Sequence, residues 1–119
     1  MPQKVLITLY ENDVAARFDL TTEALIASFG ADRADEERKT LVLAHSSAED
    51  LCQLILDEGV DVVICGGIEE AYYQYLVWKK VHVLDSVMGP WERALNRFKE
   101  NRLKPGSILF DRPRRKFHG

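Results

Sequence analysis

No apolar run in this chain approaches the roughly 20 residues that a bilayer-crossing helix needs, so no membrane span is expected. Cysteine is scarce: Cys52 and Cys65 stand alone in 119 residues, in neither a CxxC pair nor any metal-ligand spacing. The first strand begins almost at the N-terminus, with no secretory signal ahead of it, so both cysteines are expected as free thiols in a reducing, cytoplasmic setting. The three histidines, His45, His82 and His118, form no His-x-x-His or Glu-x-x-His pair. Neither GxGxxG nor GK[ST] occurs, which excludes a dinucleotide fingerprint and a P-loop. No Ser-His-Asp or Cys-His constellation is legible, and no enzymatic activity is expected. Repeats and low-complexity tracts are missing too.

What is present centres on Gly59-Val60-Asp61-Val62-Val63-Ile64-Cys65-Gly66-Gly67. Val60 to Cys65 is apolar and β-branched, as a strand buried on both faces of a parallel sheet should be. Gly66-Gly67 allows a turn without a Cβ penalty. Ile68, Ala71, Tyr72, Tyr75 and Leu76 then recur at the spacing of one helix face. In open α/β sheets ligands bind where such strands end.

Upstream, Lys4 to Leu9 reads as the first strand, Tyr10-Glu11-Asn12-Asp13 as a turn, Leu25 to Phe29 as the second strand and Thr40 to Ala44 as the third. The charged stretch Gly30 to Lys39 reads as a hairpin loop. Ser46 with Glu49 has the form of a capping box ahead of a helix with Ala48, Leu51, Cys52, Ile55 and Leu56 on one face, and Gly59 fits its left-handed C-cap. Val81 to Leu84 is a fifth strand. Gly89-Pro90 opens a third helix with Trp91, Ala94, Leu95 and Phe98 inward, and Pro105-Gly106 stops it. The expected fold is α/β, a five-stranded mixed sheet of order 3-2-1-4-5 with three helices, the ribonuclease H-like arrangement. A nuclease of that fold needs carboxylates at the middle of the first strand and the end of the fourth; Val5 to Leu9 has none, and Asp61 lies at the wrong end.

With this order in place, Gly59 to Ile68 resembles the "GVDVVIxGGIG" segment of the dinitrogenase iron–molybdenum cofactor biosynthesis family, the NifX-like and NafY-like domains. Ala16-Arg17-Phe18-Asp19 with Leu25-Ile26 resembles that family's "HFGxAxxFxI", and Lys4 to Ile7 its opening strand. Arg17 stands where the family often has histidine, and Asp19 and Glu69 stand where it has glycine. The resemblance implies a single NifX-like α/β domain over 1–106; the basic extension over 107–119 is read from composition and is no signature of that family. The resemblance further implies a small cytosolic binding or carrier domain for an iron–sulfur or iron–molybdenum cofactor precursor, with a cluster-assembly or acceptor protein as partner. The alternative is an interaction or regulatory module with no cluster ligand.

The candidate cofactor-binding residues are Arg17, Phe18, Cys65, Gly66, Gly67 and Ile68, on a rim shared with Tyr10 to Asn12. Arg17 offers positive charge, the glycine turn backbone donors, and Cys65 a thiolate for metal. Each has a plainer role open to it: an ion pair, a tight turn capped by Glu69 and Glu70, and a buried hydrophobe. Charge is uneven. Residues 1–70 hold 5 Lys/Arg against 15 Asp/Glu, a balance of −10, and residues 71–119 hold 11 against 4, a balance of +7. The tail Arg112-Pro113-Arg114-Arg115-Lys116 lacks the interleaved aromatics of a nucleic-acid binder, so no nucleic-acid partner is expected.

Overall fold

Side chains of β1 (Gln3–Tyr10) alternate between two separate cores, as the two-residue period of a strand requires. Val5 and Ile7 enter one and Leu6 the other. The structure is a computed structural model in which residues 3–30 and 35–110 are described. The other strands are β2 (Asp13–Val14), β3 (Glu23–Phe29), β4 (Glu36–Val42), β5 (Val62–Ile64) and β6 (His82–Leu84), and the helices are α1 (Ala48–Asp57), α2 (Glu70–Trp78) and α3 (Trp91–Lys99). The sheet runs β4-β3-β1-β5-β6, with β2 paired to β1. β3 lies antiparallel to β1 and β4, while β5 lies parallel to β1 and β6. Leu51 and Ile55 of α1 and Leu76 of α2 pack on the Leu6 and Val63 face; Ala94 and Leu95 of α3 pack on the Val5, Ile7 and Ile64 face.

The sheet has six strands rather than the five expected. The extra one is β2, whose two residues are too few to carry an alternation; it forms because the Tyr10–Asp13 turn folds the chain back onto β1. The loop expected over Gly30 to Lys39 is strand from Glu36 onward, and residues 31–34 lie outside the described residues. Among the described residues β4 pairs with β3 alone, and an edge strand can carry charge on both faces. Lys39 meets Glu58 at 2.8 Å on one side, while Arg38 and Lys99 meet Glu36 on the other. Arg38 also lies 5.5 Å from the centre of the Trp91 ring.

The N-cap of α1 is Ser47, not Ser46: its Oγ accepts from the Asp50 N–H at 3.1 Å. Glu49 instead accepts from the Tyr72 hydroxyl at 2.8 Å, tying α1 to α2. All three helices end in the same way. Gly59, Lys80 and Asn101 take the left-handed conformation, and the residue after each donates to the carbonyl five positions back. Asn101 thus ends α3 before Pro105-Gly106 is reached. On α2 only Leu76 is fully buried, and Ile68 precedes the helix.

Burial alone would raise the Glu36 carboxyl, but its bonds to Arg38 and Lys99 outweigh that and hold it below its ordinary 4.5. A carboxylate depressed in the folded state stabilises above its unfolded pKa, and that stability is lost as pH falls through the folded value. Glu36→Gln is therefore expected to cost up to about 1 kcal/mol at pH 7, a cost that shrinks as pH falls below the ordinary carboxylate range. Urea unfolding of both proteins at neutral pH and below that range checks this.

Candidate functional site

β1, β5 and β6 are parallel, so their C-terminal ends open on one edge of the sheet. There the segment leading out of β2 crosses over the glycine turn that follows β5. The Gly67 N–H donates to the Ala16 carbonyl at 2.8 Å and the Phe18 N–H to the Gly67 carbonyl at 2.8 Å, a parallel bridge between Arg17 and Gly67. A Cβ on Gly66 would lie 2.5 Å from the Ala16 oxygen and closer still to that of Ala15, so no side chain fits. The turn after β6 closes the edge: Ser86 and Val87 donate to the carbonyls of Gly66 and Cys65 at 2.9 and 3.0 Å.

A cleft of about 370 Å³ opens beside this crossing. Tyr10, Asp13, Val14 and Ala16 form one wall, Gly66-Gly67 and Ser86 to Gly89 the other, and Phe110 stands at its margin. Gly89 has φ +122° with Leu109 pressed against it, a place only glycine fills without strain. Among the described residues Asp13 is the one ionic side chain that lines it. The N–H groups of Gly66 and Gly89 have no backbone acceptor among the described residues.

The expected site residues divide around this crossing. Gly66 and Gly67 line the cleft. Arg17 lines a neighbouring groove of about 390 Å³ with Leu20, Thr22 and Glu23, which shares Tyr10 and Ala16 with the cleft. Its guanidinium is bound to Asp19 by two contacts, of 3.1 and 2.6 Å. Phe18 is buried, its ring stacked on Tyr72 with centroids 6.4 Å apart. Ile68 is half-buried against the same core. Cys65 is fully buried; loss of hydration, with the Asp85 charge adding, pushes its thiol up to about 12. That disfavours the thiolate a metal needs. Among the described residues no group of three or more His, Cys, Asp or Glu side chains is placed to hold a metal ion. Cys52 is buried as well, and burial followed by the nearby Glu49 charge raises it to about 11.

Ser86 to Gly89 and Phe110 are lining residues that the sequence reading did not single out. The signal was available, since the rule that favours the end of β5 applies equally to its parallel neighbour β6.

The profile described as "Dinitrogenase iron-molybdenum cofactor" matches residues 3–101. The chain belongs to this family. Among solved structures the chain is similar to PH0822, at 18% identity and TM-score 0.75, over 87% of this chain and 96% of that one. It is also similar to the apo form of the orange protein from Desulfovibrio gigas, at 18% identity and TM-score 0.70, over 87% and 92%. A candidate dinitrogenase from Methanocaldococcus jannaschii matches at 22% identity and TM-score 0.68, over 87% and 94%. These likenesses establish the fold. No curated protein matches the sequence. No helix among the described residues is long and apolar enough to cross a membrane.

Two outcomes follow from the crossing. Gly66→Ala is expected to destabilise by at least about 2 kcal/mol, since backbone rather than a pliant side chain meets the new methyl; urea midpoints measure it. Both thiols should resist iodoacetamide in the native protein and react at once when it is unfolded, as mass spectrometry can record.

Proposed function

We propose that this chain is a non-enzymatic carrier domain, and that the cleft beside Gly66-Gly67 holds an anionic iron–sulfur or iron–molybdenum cofactor precursor for delivery to an assembly or acceptor protein. The observation that carries the reading is the glycine-walled cleft at the ends of three parallel strands, in a member of a family described by that cofactor. The walls expose main chain, and glycine allows close approach of backbone to a bulky inorganic group. Without its two-residue β2, the path β4-β3-β1-β5-β6 is the order of a ribonuclease H-like sheet, and we carry that assignment within the proposal.

The cleft fits such a cargo by shape and backbone, not by side-chain ligation. Cys65 lies beneath the floor with its thiol protonated, so it serves the core. Arg17, bonded to Asp19 on the neighbouring groove, orders the rim through its backbone bridge to Gly67. The groups left to meet an anion are the amides of Gly66 and Gly89 and the hydroxyl of Tyr10, since the Ser86 hydroxyl already donates to the Asp85 carboxylate at 3.3 Å. Their bonds are neutral ones, individually weak, so recognition depends on several acting together.

Anaerobic reconstitution with iron and sulfide, followed by desalting, absorbance and metal analysis, tests the reading. Cys65→Ser is expected to retain as much metal as the parent. Gly67→Leu, at a position where a Cβ makes only an ordinary contact, fills the cleft without disturbing the crossing and should weaken retention by roughly tenfold or more. No retained metal in the parent, or equal retention in Gly67→Leu, overturns the proposal.

A further inference from the structure

The outer face of α2 is apolar where a surface helix is ordinarily polar. Trp78, Val77 and Tyr75 are 75%, 43% and 38% exposed. Ala71, Gln74, Tyr75 and Trp78 stand at i, i+3, i+4 and i+7, so they form one stripe on the side turned away from the buried Leu76. The Lys79 ammonium folds back over one end of the stripe, 5.0 Å from the centre of the Trp78 ring and 5.7 Å from that of Tyr75. At the other end a groove of about 370 Å³ opens between α1 and α2, lined by Glu49, Cys52, Gln53, Ala71, Tyr72 and Tyr75. Glu49 accepts from the Tyr72 hydroxyl, and that bond holds its carboxyl below the ordinary 4.5, so it is charged at neutral pH.

One surface thus carries an aromatic, basic knob at one end and an acidic groove at the other. The charges follow the same division. α1 holds Glu49, Asp50 and Asp57 and no Lys or Arg; Glu69 and Glu70 open α2, and Lys79 and Lys80 close it. A surface whose two ends complement each other fits a second copy of itself turned end for end. In an antiparallel pair of α2 helices with a two-fold axis between Gln74 and Tyr75, Trp78 of one copy comes level with Ala71 of the other, large against small. Lys79 comes level with Glu70. A parallel pair would set Lys79 against Lys79, so charge selects the antiparallel one. We propose that two copies of this chain associate through α2 in this way, with Trp78 of each seated in the α1–α2 groove of the other and Lys79 of each beside Glu49 and Glu70 of the other. Symmetry gives the pair two such anchors, so one substitution removes both. The groove shares no lining residue with the cleft beside Gly66-Gly67, and neither the association nor its test depends on a cargo.

Sedimentation velocity of the full chain from about 1 µM to about 1 mM covers the affinities of interfaces of modest area. It is expected to show a reversible monomer–dimer equilibrium that stops at two copies. Trp78→Ala, at an exposed position outside both cores, should raise the Kd by at least about tenfold, and Lys79→Glu should do the same. Glu49→Lys combined with Lys79→Glu should recover much of that loss, because each copy then presents the reversed pair of charges to the other. A helix face that is merely sticky gives no recovery. Circular dichroism establishes that each variant is folded, and Glu70→Lys takes the place of Glu49→Lys if the latter is not. A parent chain that remains monomeric at the top of the range overturns the proposal, since the face would then belong to a different protein. So does Trp78→Ala dimerising as tightly as the parent, a double variant no tighter than Lys79→Glu alone, or growth beyond two copies.

Discussion

Backbone contact at Gly66 is the constraint on which this end of the molecule depends. The carbonyls of Ala15 and Ala16 occupy the space that any Cβ there would need. The segment out of β2 can therefore lie flat on the glycine turn and trade hydrogen bonds with Gly67 on both sides. Because Ser86 bonds to the Gly66 carbonyl and Val87 to that of Cys65, the turn after β6 is fixed to the same point. Three loops from three parts of the sequence are thus held by one close approach. Phe18 follows from it as well. The crossing aims that side chain into the core, where it covers the sheet end and stacks on Tyr72.

The parts of the fold that were legible in sequence are those whose burial is continuous. Val60 to Cys65 reads as a central strand because both faces are covered, and Val62–Ile64 does lie between β1 and β6. The parts missed lie where burial gives no pattern. Among the described residues β4 has one neighbour, so Glu36 to Lys39 can be charged on both faces and still pair with β3. β2 is held by its turn and by the loops around it, including a bond from the Val14 N–H to the Gly89 carbonyl at 2.8 Å. Ser46 and Ser47 are equivalent as N-cap letters, and the difference of one residue is settled by which hydroxyl reaches the Asp50 amide.

The site was legible to the extent that backbone carries it. Glycines at a strand end mark a close approach whatever the neighbouring side chains are, and Gly66 and Gly67 stand where that reasoning puts them. Side chains were the harder half. Arg17 and Gly67 are bridged through their backbones, but the bridge sends the arginine to the other side of the crossing from the cleft. Spacing along the chain could not show that. Nor could it show that Cys65, one position beyond a strand whose end looked open, is fully buried in the same core as Phe18.

Once Cys65 and Arg17 are set aside, the electrostatics of the edge point one way. The first turn of α2 begins at Glu69 and Glu70, whose charges already answer the positive end of its dipole. Asp13 is the ionic side chain within the cleft, and Asp85 borders it. A folded body arranged in this way is a poor receptor for an anion through charge, while its apolar, main-chain walls are a good receptor through shape. Anion affinity in such a cleft must then come from neutral donors inside it acting together. The acidic half builds most of the rim, and a basic run follows the point where the described chain reaches it. Charge in this protein is segregated along the sequence, −10 over residues 1–70 and +7 over residues 71–119.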